Sequence, residues 1–181
     1  MEHCRMVFSG SGGQGVITAS IILAEAAVIY EQLNAVQSQS YGAAARGGAT
    51  RSDVVISEST VLYPKVIQPN VLVCLTQEAY NKYYMIVRPG GLLITDKRYV
   101  TTERKVDSQQ KEIPIYDSVM DRIGKPIVFN LCMLGTVISL KELVRPESIM
   151  KVLETRLPAD LLDLNRKALD LGLELGAKFK E

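Results

Sequence analysis

The chain opens on an apolar run, Met6-Val7-Phe8, that stops at Ser9-Gly10. Gly10-Ser11-Gly12-Gly13-Gln14-Gly15 follows, and helix-forming residues then fill positions 16–30. This succession predicts a strand, a tight glycine turn and a helix. Ile17, Ile21, Ile22, Leu23, Ala26, Ala27, Val28 and Ile29 make that helix apolar on almost every face, so it is expected to be buried. Asn34-Ala35-Val36-Gln37 offers a second, short strand with few β-branched residues. Residues 38–50, rich in Ser, Gly and Ala, read as an irregular loop. Strand character returns over residues 51–57, and residues 70–75 form the near-continuous apolar run typical of a parallel strand covered on both faces. Residues 77–87 read as a helix halted by Arg88-Pro89-Gly90-Gly91, with a strand at 92–95.

Beyond that point the pattern changes. Residues 100–110 are polar with no apolar period and predict an exposed excursion. Ile113-Pro114-Ile115 predicts a short edge strand, because Pro removes a ladder donor. Three helices are expected over 128–143, 147–157 and 160–179. In the last, Leu161, Leu164, Ala168, Leu171 and Leu175 recur every three or four positions and define one apolar face. Strands alternating with helices through residue 95 imply parallel pairing. The expected fold is therefore α/β: a three-layer sandwich with a doubly wound, mainly parallel sheet, helices on both faces and a helical C-terminal part. Ligands of such sheets sit beyond the carboxyl ends of the strands. That edge is expected to carry both the glycine turn and the loop at 38–50.

Composition narrows the chemistry. A chain of 181 residues suits one domain, expected over residues 1–181. Lys and Arg total 21 against 20 Asp and Glu, a net charge of +1, so no nucleic-acid footprint is visible. Cys4, Cys74 and Cys132 lie far apart without CxxC spacing, which disfavours an iron–sulfur cluster, a zinc ribbon or a disulfide framework. With no signal-type start and no run of ~20 apolar residues, the expectation is a cytoplasmic chain without a membrane partner.

Gly10, Gly12 and Gly15 have G-x-G-x-x-G spacing between a predicted strand and a predicted helix. Glycines there permit positive φ and let an anion reach backbone amides at the positive end of the helix dipole. A dinucleotide reader should also place an acidic residue about 20 positions on, at the end of the second strand. Ala35-Val36-Gln37-Ser38 supplies neither a carboxylate nor an Arg, so the NAD reading loses its ribose anchor. A phosphate site, and close packing with no ligand, both stay open. The second unusual stretch is Ser40-Tyr41-Gly42-Ala43-Ala44-Ala45-Arg46-Gly47-Gly48. Small neighbours leave the Arg46 guanidinium free to reach a carboxylate or phosphate bidentately, and Tyr41 adds an aromatic face and a hydroxyl. A solvated Arg on an Ala/Gly-rich turn is the alternative.

Together, Gly10-Ser11-Gly12-Gly13-Gln14-Gly15-Val16, Ser40-Tyr41-Gly42 with Arg46-Gly47-Gly48, and Ser52-Asp53-Val54 resemble the gamma subunit of 2-oxoacid:acceptor (ferredoxin or flavodoxin) oxidoreductases. Gln77-Glu78-Ala79-Tyr80, Pro89-Gly90-Gly91-Leu92-Leu93, the helix with Asn130, Leu134 and Gly135, and then Asn165 and Gly172 extend the likeness along the chain. The resemblance implies a subunit that is inactive alone, in a complex that oxidatively decarboxylates a 2-oxoacid, forms acyl-CoA and reduces ferredoxin or flavodoxin. It leans toward 2-oxoglutarate over pyruvate. Thiamine diphosphate and iron–sulfur clusters are then expected on alpha, beta and ferredoxin-like delta partners, and an isolated chain could pair with itself. No catalytic residue and no metal ligand are expected here. Coenzyme A is the expected ligand, with Gly10, Gly12, Gly13, Gln14, Gly15, Tyr41, Arg46 and Gly47 as candidate contacts. These loops could instead meet a partner subunit. A free-standing nucleotide-binding or regulatory domain is the competing class.

Overall fold

The apolar run at the start of the chain becomes the middle of a sheet. The computed structural model describes residues 3–40, 49–103 and 106–180. Strands β1 (Cys4–Gly10), β2 (Asn34–Ser40), β3 (Thr50–Ser57), β4 (Val71–Cys74), β5 (Gly91–Asp96) and β6 (Ser108–Ile113) lie in the order β2-β3-β1-β4-β5-β6. The helices are α1 (Val16–Glu31), α2 (Gln77–Tyr83), α3 (Ile115–Arg122), α4 (Phe129–Lys141), α5 (Pro146–Arg156) and α6 (Ala159–Lys178). Parallel pairing joins β1, β4, β5 and β6. The mostly parallel α/β class expected from sequence is the one observed.

One strand departs from that reading. β3 runs antiparallel to both β1 and β2, with Gly10 opposite Thr50 and Ser40 opposite Arg51. β2 ends and β3 begins at the same edge, so the chain reverses there and the two strands pair antiparallel. A second correction concerns residues 100–115. The expected excursion ends in β6, a strand whose sequence, Ser-Gln-Gln-Lys-Glu-Ile, is polar because it forms a sheet edge. Pro114, expected inside a short strand, is the N-cap of α3, a helix the apolar pattern did not announce because only Ile115 and Val119 are buried. The helix expected over 77–87 stops at Tyr83 and continues as a single 3-10 turn, Tyr84–Ile86.

The two faces of the sheet are covered unequally. Met6, Phe8, Val54, Ile56, Val73 and Ile94 point to a large core completed by α1, α3, α4, α5 and α6. On the other face Val7, Val55, Leu72 and Leu93 meet Ala79, Tyr80 and Tyr83 of α2, together with Val66 of the segment between β3 and β4. Every residue of α4 from Phe129 to Ile138 is buried. Its all-round apolarity is absorbed within the chain by α6, not by an outside partner. The two helices meet backbone to backbone: a methyl added at Gly135 would lie 3.1 Å from the Gly172 Cα.

Polar anchors fix the outer helices. Glu31, at the end of α1, accepts hydrogen bonds from the Arg145 backbone N–H at 3.1 Å, from Arg145 Nε at 3.0 Å and from the Ser148 hydroxyl at 2.5 Å. Burial pushes its pKa up, but the bonds from Ser148 and Arg145 outweigh that and hold the carboxyl below its ordinary value of 4.5. A carboxylate with a lowered folded-state pKa stabilises the fold above its unfolded pKa, and that contribution is lost as the pH falls through the folded value. Glu31→Gln should therefore lower stability by about 1 kcal/mol at pH 7 and by less at pH 3. Thermal melts across that range check it, and an equal deficit at both ends contradicts it. Among the described residues, no helix is long and apolar enough to cross a membrane.

Candidate functional site

The glycine turn occupies the carboxyl edge of β1. Gln14 builds it: its backbone N–H donates to the Ser11 carbonyl at 3.3 Å, and its side-chain Oε1 accepts from the Ser11 N–H at 2.8 Å. Its Nε2 donates to the Leu75 carbonyl at 3.2 Å, tying the turn to the end of β4. Gln14 is thus committed within the chain, and the amides expected to face an anion reduce to those of the glycines.

Each glycine can be asked what requires it. A methyl at Gly10 would overlap Gln14 Oε1 and stand 3.3 Å from Leu75 Cβ. Gly13 has φ +93° and Gly15 has φ +70°, and a methyl at Gly15 would lie 2.8 Å from Asn130 Cβ. Internal packing and backbone conformation account for these three. Gly12 is different. It is exposed, it is not among the positive-φ residues, and a methyl there would meet nothing within 4 Å. Nothing among the described residues explains a glycine at this position, whereas an object approaching the turn does. Among the described residues, the Gly12, Gly13 and Gly15 amides donate no hydrogen bond.

The electrostatics suit an anion. α1 begins at Gly15 with no side-chain cap and no acid in its first turn, which leaves its dipole unneutralised. The contact between Gly15 and Asn130 brings the start of α4, also without an acid in its first turn, to the same place.

The described residues that flank the neighbouring loop reach this edge. Ser40 and Thr50, which flank it, are at the carboxyl edge, with Thr50 paired to Gly10. The Ser9 hydroxyl donates to the Thr50 carbonyl at 2.9 Å, and the Ala49 N–H donates to Glu78 at 3.2 Å. Tyr41, Arg46 and Gly47 lie outside the described residues. Separating β1 from β2 by the antiparallel β3 also removes the adjacent parallel strand on which a dinucleotide-binding fold places its ribose carboxylate.

Several quoted motifs prove to be anchors. Gln77 accepts from the Thr101 N–H at 2.8 Å, so Gln77 and Glu78 each hold a loop at the sheet edge. Asp53 is buried and bidentate to Arg51 at 2.6 and 3.0 Å, and it also accepts the Val66 N–H at 2.9 Å. Residues two apart on a strand share a face, which is the signal that could have paired Arg51 with Asp53. No sequence pattern singles out Asp96. It ends β5 fully buried, and its carboxylate accepts from the Tyr116 N–H at 2.8 Å and the Arg98 N–H at 2.9 Å, joining β5 to the start of α3. Burial pushes its pKa up. The three cysteines are buried and separate. Burial raises each thiol, Cys4 to about 11 and Cys132 to about 12, so none is a nucleophile at neutral pH.

A family profile described as pyruvate ferredoxin/flavodoxin oxidoreductase matches residues 5–175. The chain belongs to this family. Among its relatives, the 2-oxoglutarate synthase subunit KorC of Methanocaldococcus jannaschii is 42% identical over 173 residues, covering 94% of this chain and 92% of that one. The crystal structure of a keto/oxoacid ferredoxin oxidoreductase gamma subunit from Geobacter sulfurreducens superposes with a TM-score of 0.87 at 39% identity, over 97% of this chain and 99% of that one. The fold also matches 32% of a longer chain, the 2-oxoglutarate:ferredoxin oxidoreductase of Magnetococcus marinus solved with 2-oxoglutarate, coenzyme A and succinyl-CoA. There the TM-score is 0.89 and the identity 19%, over 98% of this chain.

Proposed function

We propose that this chain is the gamma-type subunit of a multi-subunit oxidoreductase that converts a 2-oxoacid, coenzyme A and an oxidised ferredoxin or flavodoxin into acyl-CoA, carbon dioxide and the reduced acceptor. The substrate is 2-oxoglutarate and the product succinyl-CoA, supported by the 42% identity to a 2-oxoglutarate synthase subunit along nearly the whole chain. The chain acts as one domain over residues 1–181. Alpha and beta partners hold thiamine diphosphate, which supplies the decarboxylation chemistry, and a ferredoxin-like delta partner holds iron–sulfur clusters. The assembly works in the cytoplasm.

The role of this subunit lies at the glycine turn. Gly12, Gly13 and Gly15 offer amides to the phosphates of coenzyme A at the uncapped start of α1, and Gly10 and Gln14 shape the turn beneath them. Arg46 adds charge, with Tyr41 and Gly47 in the same loop. The single observation carrying this role is that Gly12 is a glycine with nothing among the described residues to require one. With a net charge of +1 the chain has no broad positive field, so an anion must be held by local donors.

The test is a dye-reduction assay on the co-purified complex, with 2-oxoglutarate and pyruvate in parallel and with coenzyme A present or omitted. The expected result is coenzyme A-dependent reduction at least ten times faster with 2-oxoglutarate. Faster turnover of pyruvate overturns the substrate assignment, and a complex with no 2-oxoacid-dependent reduction overturns the function.

A further inference from the structure

The opposite edge of the sheet carries a second feature, about 16 Å from the glycine turn along β1. An open cleft of about 660 Å³ is lined by Arg5, Lys65, Arg88, Asn70 and Tyr63 among others, with no carboxylate among its described lining residues. Arg5, Lys65 and Arg88 are exposed, and among the described residues none forms an ion pair. In a chain with a net charge of +1, three uncompensated cations converging on one cleft are a local excess.

The same edge exposes apolar surface. Leu62 is 91% exposed, Tyr63 60% and Ile67 72%. These side chains are not carried on a loose strand of polypeptide. Val66 between them is buried in the core of the α2 face, its N–H is held by Asp53 and its carbonyl accepts from the Arg51 guanidinium. The Pro64 carbonyl accepts from the Ser38 hydroxyl at 3.1 Å, and the Arg51 guanidinium stacks 5.3 Å over the Tyr83 ring. A partly buried ion pair thus fixes a backbone whose large apolar side chains face outward. Leu62 and Ile67 gain little burial when this chain folds, so their apolar surface stays available for a partner to cover. An apolar ledge beside a cationic cleft fits a protein surface better than a free anion, which would need only the charges.

We propose that this edge is the docking surface for an acidic segment of another protein chain, whose carboxylates meet Arg5, Lys65 and Arg88 and whose apolar residues cover Leu62, Tyr63 and Ile67. This rests on the reading of the chain as one subunit of several. It assigns the Arg51–Asp53 pair to holding the ledge, and it separates subunit docking from the glycine turn at the other edge.

The test titrates the purified chain with its companion subunits at 50 and 500 mM NaCl. The triple variant Arg5→Glu/Lys65→Glu/Arg88→Glu should weaken association at least 100-fold, and Leu62→Ser/Ile67→Ser at least 10-fold. Neither should change the melting temperature, and the parent affinity should fall at the higher salt. Independently of any variant, hydrogen exchange should show residues 60–70 protected only in the complex. Both variants binding like the parent, or protection confined to other segments, overturns the proposal. So does a saturating citrate isotherm lost in the triple variant while assembly is intact, which would assign the cleft to a small anion. A parent chain that does not associate at all overturns the subunit reading, and the surface falls with it.

Discussion

Gly172→Ala is expected to destabilise the chain by about 3 kcal/mol, although alanine is the better helix former by about 1 kcal/mol. The position lies within α6, where the exchange would ordinarily help. Here a methyl would overlap the Cys132 carbonyl oxygen of α4 and stand 2.9 Å from both the Cys132 carbonyl carbon and the Gly135 Cα. All of these are backbone atoms, so no side chain can swing away and the helices must separate. Because α4 is buried from Phe129 to Ile138, that separation would disturb the larger core along its length. At roughly 2–4 °C per kcal/mol for a chain of this size, the melting temperature should fall by about 10 °C. Gly12→Ala, with open space around it, should change the melting temperature by less than about 2 °C. Equal effects of the two substitutions would refute the backbone-contact account.

The interior of the fold was legible in the chain because it obeys simple periods. The apolar runs at Met6-Val7-Phe8 and at residues 70–75 became central strands; of the apolar spacing in residues 160–179, Ala168, Leu171 and Leu175 are buried on α6 while Leu161 is exposed. The edges are less legible. Residues 34–37 announce the start of β2, but its last positions and all of β6 are polar because they bound the sheet, and polarity without a period looks like a loop. β3 reads correctly as a strand, but its direction is a topological property that no local pattern carries.

At the candidate site the glycine spacing was readable, but the division of labour within it was not. Sequence treats Gly10, Gly12, Gly13 and Gly15 alike, whereas space and φ set Gly12 apart. Gln14 looked like one more amide and is the staple of the turn. The Arg51–Asp53 pair, two positions apart on one strand, could have been anticipated from its spacing. Its use, fixing Val66 and the exposed residues beside it, depends on a contact across 13 positions that only the folded chain reveals.

Gly12→Val tests most directly whether the glycine turn receives coenzyme A. The Cβ of a valine at Gly12 meets no atom of the described residues within 4 Å, so folding should be unaffected. The branched side chain would nevertheless stand over the Gly12, Gly13 and Gly15 amides, where a phosphate would approach. Steady-state kinetics of the assembled complex should show the KM for coenzyme A raised at least tenfold, with the KM for 2-oxoglutarate and the melting temperature unchanged. An unchanged KM for coenzyme A in a stable, assembled Gly12→Val complex would contradict the account.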